Sequence, residues 1–313
     1  MNPDLCFDES VLNWLLRGDV SIQYQVYRDL LGENKPQLRQ RIATEGWGAK
    51  FMSKRKENGH WGKGFYQPKW TSSHYTLLNL KHLEIPVNEM ITETIQDILE
   101  KNREKDGGLN PAKTIKVSDV CIQGMFLQYA TFFNTPQDLL ESIVDFLINV
   151  QMDDGGFNCQ SNRKGAVHSS LHSTISVLEG LSEYKKQGYT YRLNEIERII
   201  PEAIEFILLH RLYKSDHTGE IIDKKMLMLS YPYRWRYNIL RCLDYFRAAG
   251  IEFDPRMVDA LDVLMKKRRR DGRWPVQARH PGKTHLFMEK TGYPSRWNTL
   301  IALRVLKHFP EYK

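Results

Sequence analysis

Apolar positions recur along most of this chain every three or four residues, the spacing of a helix that buries one stripe and wets the other. Segment 136–151 shows it plainly, with Leu139, Leu140, Ile143, Phe146, Leu147 and Val150 on one side. Helices of another kind alternate with such segments, at 70–84, 118–132, 168–185, 231–249 and 294–308. They carry apolar residues on more than one face, as a helix does between an outer layer and a lumen. Start signals agree. Thr135-Pro136 and Asp254-Pro255 each set a capping residue before a proline at the first helical position. Segment 194–213 contains Pro201, which predicts a restart or kink because proline removes a backbone donor.

A turn signal separates the two kinds and recurs: Asn58-Gly59-His60-Trp61, Asp106-Gly107-Gly108-Leu109, Asp154-Gly155-Gly156-Phe157, Asp216-His217-Thr218-Gly219 and Asp271-Gly272-Arg273-Trp274. Asp-Gly and Gly-Gly steps break helices and supply the positive-φ positions of tight turns. A shorter pair, Asp8–Arg17 and then Val20–Leu31, stands first. Six pairs can close a ring, whereas an open solenoid would need polar capping repeats. The expectation is all-α: one (α/α)6 toroid over 1–313, six inner helices around a partly aromatic cavity and six outside.

Composition fits a soluble globule, with 41% hydrophobic and 27% charged among 313 residues. No run approaches the ~18 apolar residues that span a bilayer, and the acidic N-terminus lacks the basic and apolar regions of a secretory signal. A cytoplasmic protein with no integral membrane segment is therefore expected. Cys6, Cys121, Cys159 and Cys242 are widely spaced and read as buried thiols rather than disulfides. The net charge of +7 suits an anionic ligand. The one dense basic run, 266–270, ends a predicted helix, where cations complement the macrodipole. No recognition motif accompanies it, so no nucleic acid is expected as a partner.

Aligning the inner segments on Leu30, Leu80, Leu127, Leu178, the neighbourhood of Arg241, and Leu303 gathers a level six residues upstream: Tyr24, His74, Cys121, His172, Trp235 and Trp297. Two residues further on stand Val26, Thr76, Gln123, Thr174, Tyr237 and Thr299, mostly small or polar. Taken singly, Tyr24, Trp235 and Trp297 read as core packing. Taken together, the level reads as a ligand cavity at inner-helix N-termini, where unpaired N–H groups favour anions. Lys69, Lys113, Lys116, Arg234, Arg236 and Arg296 are the nearby cations. Asp119, Cys121 and His172 offer a carboxylate, a thiolate and an imidazole with a fourth position open, a plausible catalytic zinc set. His74 would be another ligand or a base.

These repeats, with Gln151-Met152-Asp153-Asp154-Gly155-Gly156-Phe157 and Arg270-Asp271-Gly272-Arg273-Trp274, resemble the terpenoid cyclase and protein prenyltransferase β-subunit superfamily, and most closely the bacterial squalene-cyclase-like proteins. The resemblance implies the toroid fold. It also implies that Lys113 and Lys116 hold diphosphate while Asp119 and Cys121 bind zinc, since they match the basic-X-X-Lys-X-X-Asp-X-Cys spacing of prenyltransferases. His172 is the matching histidine, although a gapless alignment puts Ser173 there, and Ile122 stands where a tyrosine is usual. The Asp-X-Asp-Asp acid of class II cyclases is missing.

The leading expectation is an enzyme acting on an isoprenoid, or a similar apolar small molecule with an anionic head. Its catalytic groups would be Asp119, His74 and His172, and its binding groups Tyr24, Lys113, Lys116, Arg234, Trp235, Arg296 and Trp297. A polysaccharide lyase or hydrolase is the second class, with Asp216, Glu220, Asp223 and Glu289 as unpaired carboxylates. A non-catalytic small-molecule binding ring is the third. Oligomeric state is not legible in the sequence.

Overall fold

The computed structural model describes residues 8–111 and 117–312, and it is all-helical. Three isolated β-bridges are the only extended pairings among the described residues. Among the described residues no helix is long and apolar enough to cross a membrane.

In chain order the helices are α1 (Glu9–Leu16), α2 (Val20–Gln25), α3 (Pro36–Arg41), α4 (Gly46–Met52), α5 (Ser73–His82), α6 (Glu89–Asn102) and α7 (Val120–Phe132). They continue as α8 (Glu141–Asn149), α9 (Ser161–Lys164), α10 (Leu171–Lys186), α11 (Leu193–Leu209), α12 (Ile239–Ala248), α13 (Val258–Lys266) and α14 (Arg296–His308). A π-helical stretch, Val26–Leu31, prolongs α2. Short polar residues start several of them. Asp8 accepts from Ser10 N–H at 2.7 Å, Asn238 from Arg241 N–H at 2.9 Å and Ser295 from Asn298 N–H at 2.9 Å.

The two predicted kinds of helix are both present. α7 is buried along its whole length except at Cys121, whereas α6, α8, α11 and α13 bury one stripe. α5 lies against α7, α7 against α10, α12 against α14, and α14 against the 26–31 stretch. The closest approach is between α7 and α10. A Cβ on Gly124 would meet Ser176 O at 2.4 Å, and one on Gly180 would meet Gly124 O at 2.4 Å. Glycine is required at both places for the backbones to touch.

Two of the recurring turns share one set of bonds. Asp106 accepts from Ser118 N–H at 2.8 Å, as Asp154 does from Ser169 N–H at 2.8 Å. In four of the five turns the closing residue is then held by a polar side chain of the following buried helix, whereas the 216–219 turn is closed locally, Gly219 N–H donating to Ser215 O at 2.8 Å. Trp61 N–H meets Ser73 Oγ at 3.1 Å, Leu109 N–H meets Gln123 Oε1 at 2.8 Å, and Phe157 and Trp274 N–H meet Thr174 and Thr299 Oγ1 at 3.0 Å each. Gln123, Thr174 and Thr299 thus owe their polarity to a buried N–H that would otherwise lack a partner.

Two boundaries differ from expectation. The fifth buried helix starts at Ile239 rather than near 231, because Pro232 and a left-handed Arg234 (φ 58°) keep the preceding segment out of helix. α11 runs through Pro201 unbroken: proline fits the φ of a helix and costs it one donor.

Candidate functional site

The C-terminal halves of α5, α7 and α10, together with α12, α14 and the segment before α12, line an open-sided cavity of about 570 Å³, within the range of small-molecule sites. Its wall carries ion pairs, most of them tying one helix to a neighbour. Arg241 of α12 grips Glu179 of α10 through contacts of 2.8 and 2.7 Å. Arg304 of α14 reaches Asp244 of α12 at 2.7 Å and Asp29 of the π-helical stretch at 2.8 Å. Arg28 holds Asp29 at 2.6 Å and Glu84 at 2.8 Å, and Lys81 of α5 meets Glu183 of α10 at 3.1 Å. Lys81, Lys185, Lys186 and Arg247 stand in last helical turns, where the carbonyl end favours positive charge.

An aromatic surface completes the cavity. Tyr231 stacks on Trp297 with centroids 5.0 Å apart and planes 18° from parallel, and Trp47 lies 6.1 Å from Trp297. Three lining side chains carry a buried polar atom with no hydrogen-bond partner in the protein: Tyr233 Oη, Trp297 Nε1 and Gln128 Oε1.

Three of the wall's carboxyls are held in the charged form. Burial would raise Asp29 and Asp244, but Arg304, with Arg28 beside the first and Arg247 beside the second, holds both below the usual carboxylate range. Burial likewise opposes Glu183, and Lys81 outweighs it. None of the three holds a proton to donate.

The N-terminal ends of the buried helices are filled instead of hollow. His74 is fully buried, its ring 5.5 Å from Phe65 and 5.6 Å from Tyr129, and burial pushes its pKa down to about 3. His172 accepts from Tyr237 N–H through Nδ1 at 2.8 Å, lies 5.3 Å from Trp235, and is pushed down to about 4, mainly by burial. Beyond them cations alternate with rings. Lys69 Nζ lies 4.9 Å from Trp70 and 5.3 Å from Trp235, Arg236 lies 4.7 Å from Trp235, and Arg234 lies 4.0 Å from Trp70.

Of the level Tyr24, His74, Cys121, His172, Trp235 and Trp297, Trp297 lines the cavity and the other five do not. Tyr24 packs beneath the Arg28 guanidinium, 5.4 Å away. Arg296 is held at α1, where it donates to Trp14 O at 3.1 Å. Lys113 and Lys116 lie outside the described residues. The cavity instead takes the residue after each frame leucine: Lys81, Gln128, Glu179 and Arg304. These sit seven residues beyond the predicted level, on nearly the same helical face but about 10 Å further along the axis.

Arg234, predicted as a binding group, lines a separate void of about 30 Å³ with Trp70, Tyr231, His280 and Glu289. Arg234 Nη1 and His280 Nε2 have no protein partner there. Burial pushes Arg234 down to about 10 and His280 to about 4. Glu289 accepts from Trp297 N–H at 3.2 Å, yet burial lifts its carboxyl to about 7.

A catalytic zinc needs three protein ligands converging on one point. Among the described residues no group of three or more His, Cys, Asp or Glu side chains could hold a metal ion. Nδ1 of His172 is taken by a backbone N–H, and the Cys121 N–H is directed at Cys159 Sγ at 3.1 Å. As placed, Asp119, Cys121 and His172 do not fit a zinc centre. No protein-family model matches the chain, and no curated protein matches it in sequence.

Proposed function

We propose that this protein is a small-molecule-binding (α/α)6 ring, one domain over 1–313, whose central cavity takes a polar, hydroxyl-rich ligand of saccharide type. The ring reading is supported by the order of contacts. Gln25 of α2 donates to His82 O of α5 at 2.9 Å, Arg241 ties α12 to α10, and Arg304 ties α14 to both α12 and the first pair. Each buried helix thereby meets the next, and the last meets the first.

One observation carries the ligand class: charged pairs wall the cavity and a stacked Tyr231–Trp297 pair faces it. Paired charges offer donors and acceptors in fixed directions, which suits hydroxyl groups, and a ring face suits the apolar side of a sugar. An isoprenoid chain would desolvate the ion pairs and return nothing to them. The wall's cations and carboxylates nearly balance, so a diphosphate gains little there. Binding rather than glycoside cleavage is favoured, since Asp29, Asp244 and Glu183 lack the proton a general acid must hold.

The isoprenoid-enzyme reading keeps one observation in its favour, the cations Lys69, Arg234 and Arg236 set over aromatic rings at the opposite end. Calorimetric titration with disaccharides and with farnesyl diphosphate separates the two. Disaccharide binding weakened about tenfold by Tyr233→Phe, worth ~1.4 kcal/mol, is expected. Farnesyl diphosphate binding that depends on Arg234, with no response to any saccharide, would overturn the proposal in favour of the isoprenoid reading.

A further inference from the structure

Cys121, the second residue of α7, and Cys159, in the loop before α9, stand 38 residues apart in sequence, yet the Cys159 sulfur reaches the Cys121 backbone. The Cys159 sulfur accepts the backbone N–H of Cys121 at 3.1 Å and the Ser173 hydroxyl at 3.3 Å. Its own N–H donates to Ser173 Oγ at 3.1 Å, which fixes the loop residue against α10. Cys121 is the second residue of the 13-residue α7, so the N–H directed at Cys159 Sγ belongs to the positive end of a helix. Both residues are half-buried, whereas Cys242 is sealed in the core.

We propose that Cys121 and Cys159 form a reversible dithiol–disulfide couple that exchanges with low-molecular-weight disulfides, with Cys159 as the attacking sulfur and Cys121 as the resolving one. This site is separate from the saccharide cavity, which neither residue lines. Direction follows from the bonds. Cys159 Sγ receives an N–H and an O–H, which stabilise a thiolate at that sulfur and make it the one to attack first. In the first step the Cys159 thiolate attacks one sulfur of a small disulfide RSSR; the S–S bond breaks and RS⁻ leaves, taking up the proton that Cys121 releases. In the second, the Cys121 thiolate attacks Cys159 Sγ in the mixed disulfide, and the second RS⁻ leaves. Two protein thiols lose two electrons to form one disulfide, and RSSR gains them to become two thiols. Reduction by a dithiol runs the same steps backwards.

The test uses the full-length protein with oxidised glutathione, followed by alkylation, digestion and mass spectrometry. A Cys121–Cys159 cross-linked peptide is expected, with two equivalents of glutathione released per chain and recovery of both thiols on reduction. In Cys121→Ser the reaction should stop at glutathione on Cys159. In Cys159→Ser the modification of Cys121 should slow about tenfold or more, because the sulfur that reacts first is gone. The wild-type digest stands even if a variant fails to fold. Glutathione confined to Cys6 or Cys242, or Cys121 and Cys159 alkylated independently with no linked peptide, would overturn the proposal. So would a metal ion retained by the pair that shields both thiols from the disulfide.

Discussion

Arg304→Met tests whether the helices close on themselves. Arg304 leaves α14 and holds Asp244 of α12 at 2.7 Å, Asp29 at 2.8 Å and Gln25 Oε1 at 3.1 Å, all at low exposure. Methionine keeps most of the volume and removes every one of these bonds. Breaking one side of a buried pair costs ~3–5 kcal/mol. Each acid here keeps a second cation, Arg28 at 2.6 Å from Asp29 and Arg247 at 2.8 Å from Asp244, so the loss should fall near the lower end, about 3 kcal/mol. At ~2.1 cal/mol/K of unfolding entropy per residue over 313 residues, that lowers the melting temperature by about 5 °C. The pH dependence carries a sign. Asp29 and Asp244 have folded pKa values depressed chiefly by Arg304, against burial, so their stabilisation is present above the unfolded carboxylate range and is lost as pH falls through the folded values. Melting curves of wild type and variant should therefore differ by a constant gap between pH 7 and about 5, then converge below about 4. An unchanged melting temperature at pH 7, or a gap that widens in acid, would refute the closure by Arg304.

Thr299→Val strips the buried Trp274 N–H of its acceptor; a cost of ~1–3 kcal/mol in urea unfolding is expected, and Thr299→Ser should restore it. Asp154→Ala releases Ser169 N–H and Gly156 N–H together, and amide exchange at both should rise about tenfold or more with the rest of the molecule unchanged. Glu289 has a folded pKa raised to about 7 by burial, so ionising it destabilises the fold. Both proteins gain stability as pH rises through the unfolded histidine range, because His74, His172 and His280 are neutral in the fold. Wild type should in addition lose stability relative to Glu289→Gln, which still accepts from Trp297 N–H, between about pH 5 and 7. Profiles that run parallel over that window would place the carboxyl in water.

Helix type, order and turn chemistry were legible because they are local. A glycine pair after an aspartate breaks a helix wherever it occurs, and the polar positions Gln123, Thr174 and Thr299 could be picked out by their spacing from frame leucines. The face that looks inward was legible for the same reason, since Lys81, Gln128, Glu179 and Arg304 share it with the predicted level. Which level is hollow was not. That depends on the volumes six distant segments bring to one plane: His74, Phe65, Phe126 and Tyr129 fill the N-terminal end together, though none signals it alone. The first helix adds its own slip. Residues 26–31 wind as π-helix, so Asp29 rather than Leu31 meets the wall. The Cys121–Cys159 contact lacked any sequence signal, because a thiol pair formed across two loops has no fixed spacing.

The composition of the wall argues against a merely structural hollow. Buried ion pairs give little net stability, and apolar side chains of similar volume commonly do as well or better. Here Arg241, Arg304 and Lys81 each join separate helices, but leucines or phenylalanines at those positions would join them too and would also close the space. What the ion pairs do that apolar residues cannot is hold the helices apart while presenting oriented donors and acceptors to whatever enters. Tyr233 Oη, Trp297 Nε1 and Gln128 Oε1 fit the same account, since a polar atom buried without a partner costs ~1–3 kcal/mol that an apolar substitute would avoid. Cavity volume and paired charge coincide along this wall, which also holds the unpartnered Tyr233 Oη, Trp297 Nε1 and Gln128 Oε1. The N-terminal ends of α5 and α10 are packed with rings around two neutral histidines, and there the unpartnered atoms His74 Nε2 and Trp235 Nε1 face no such cavity.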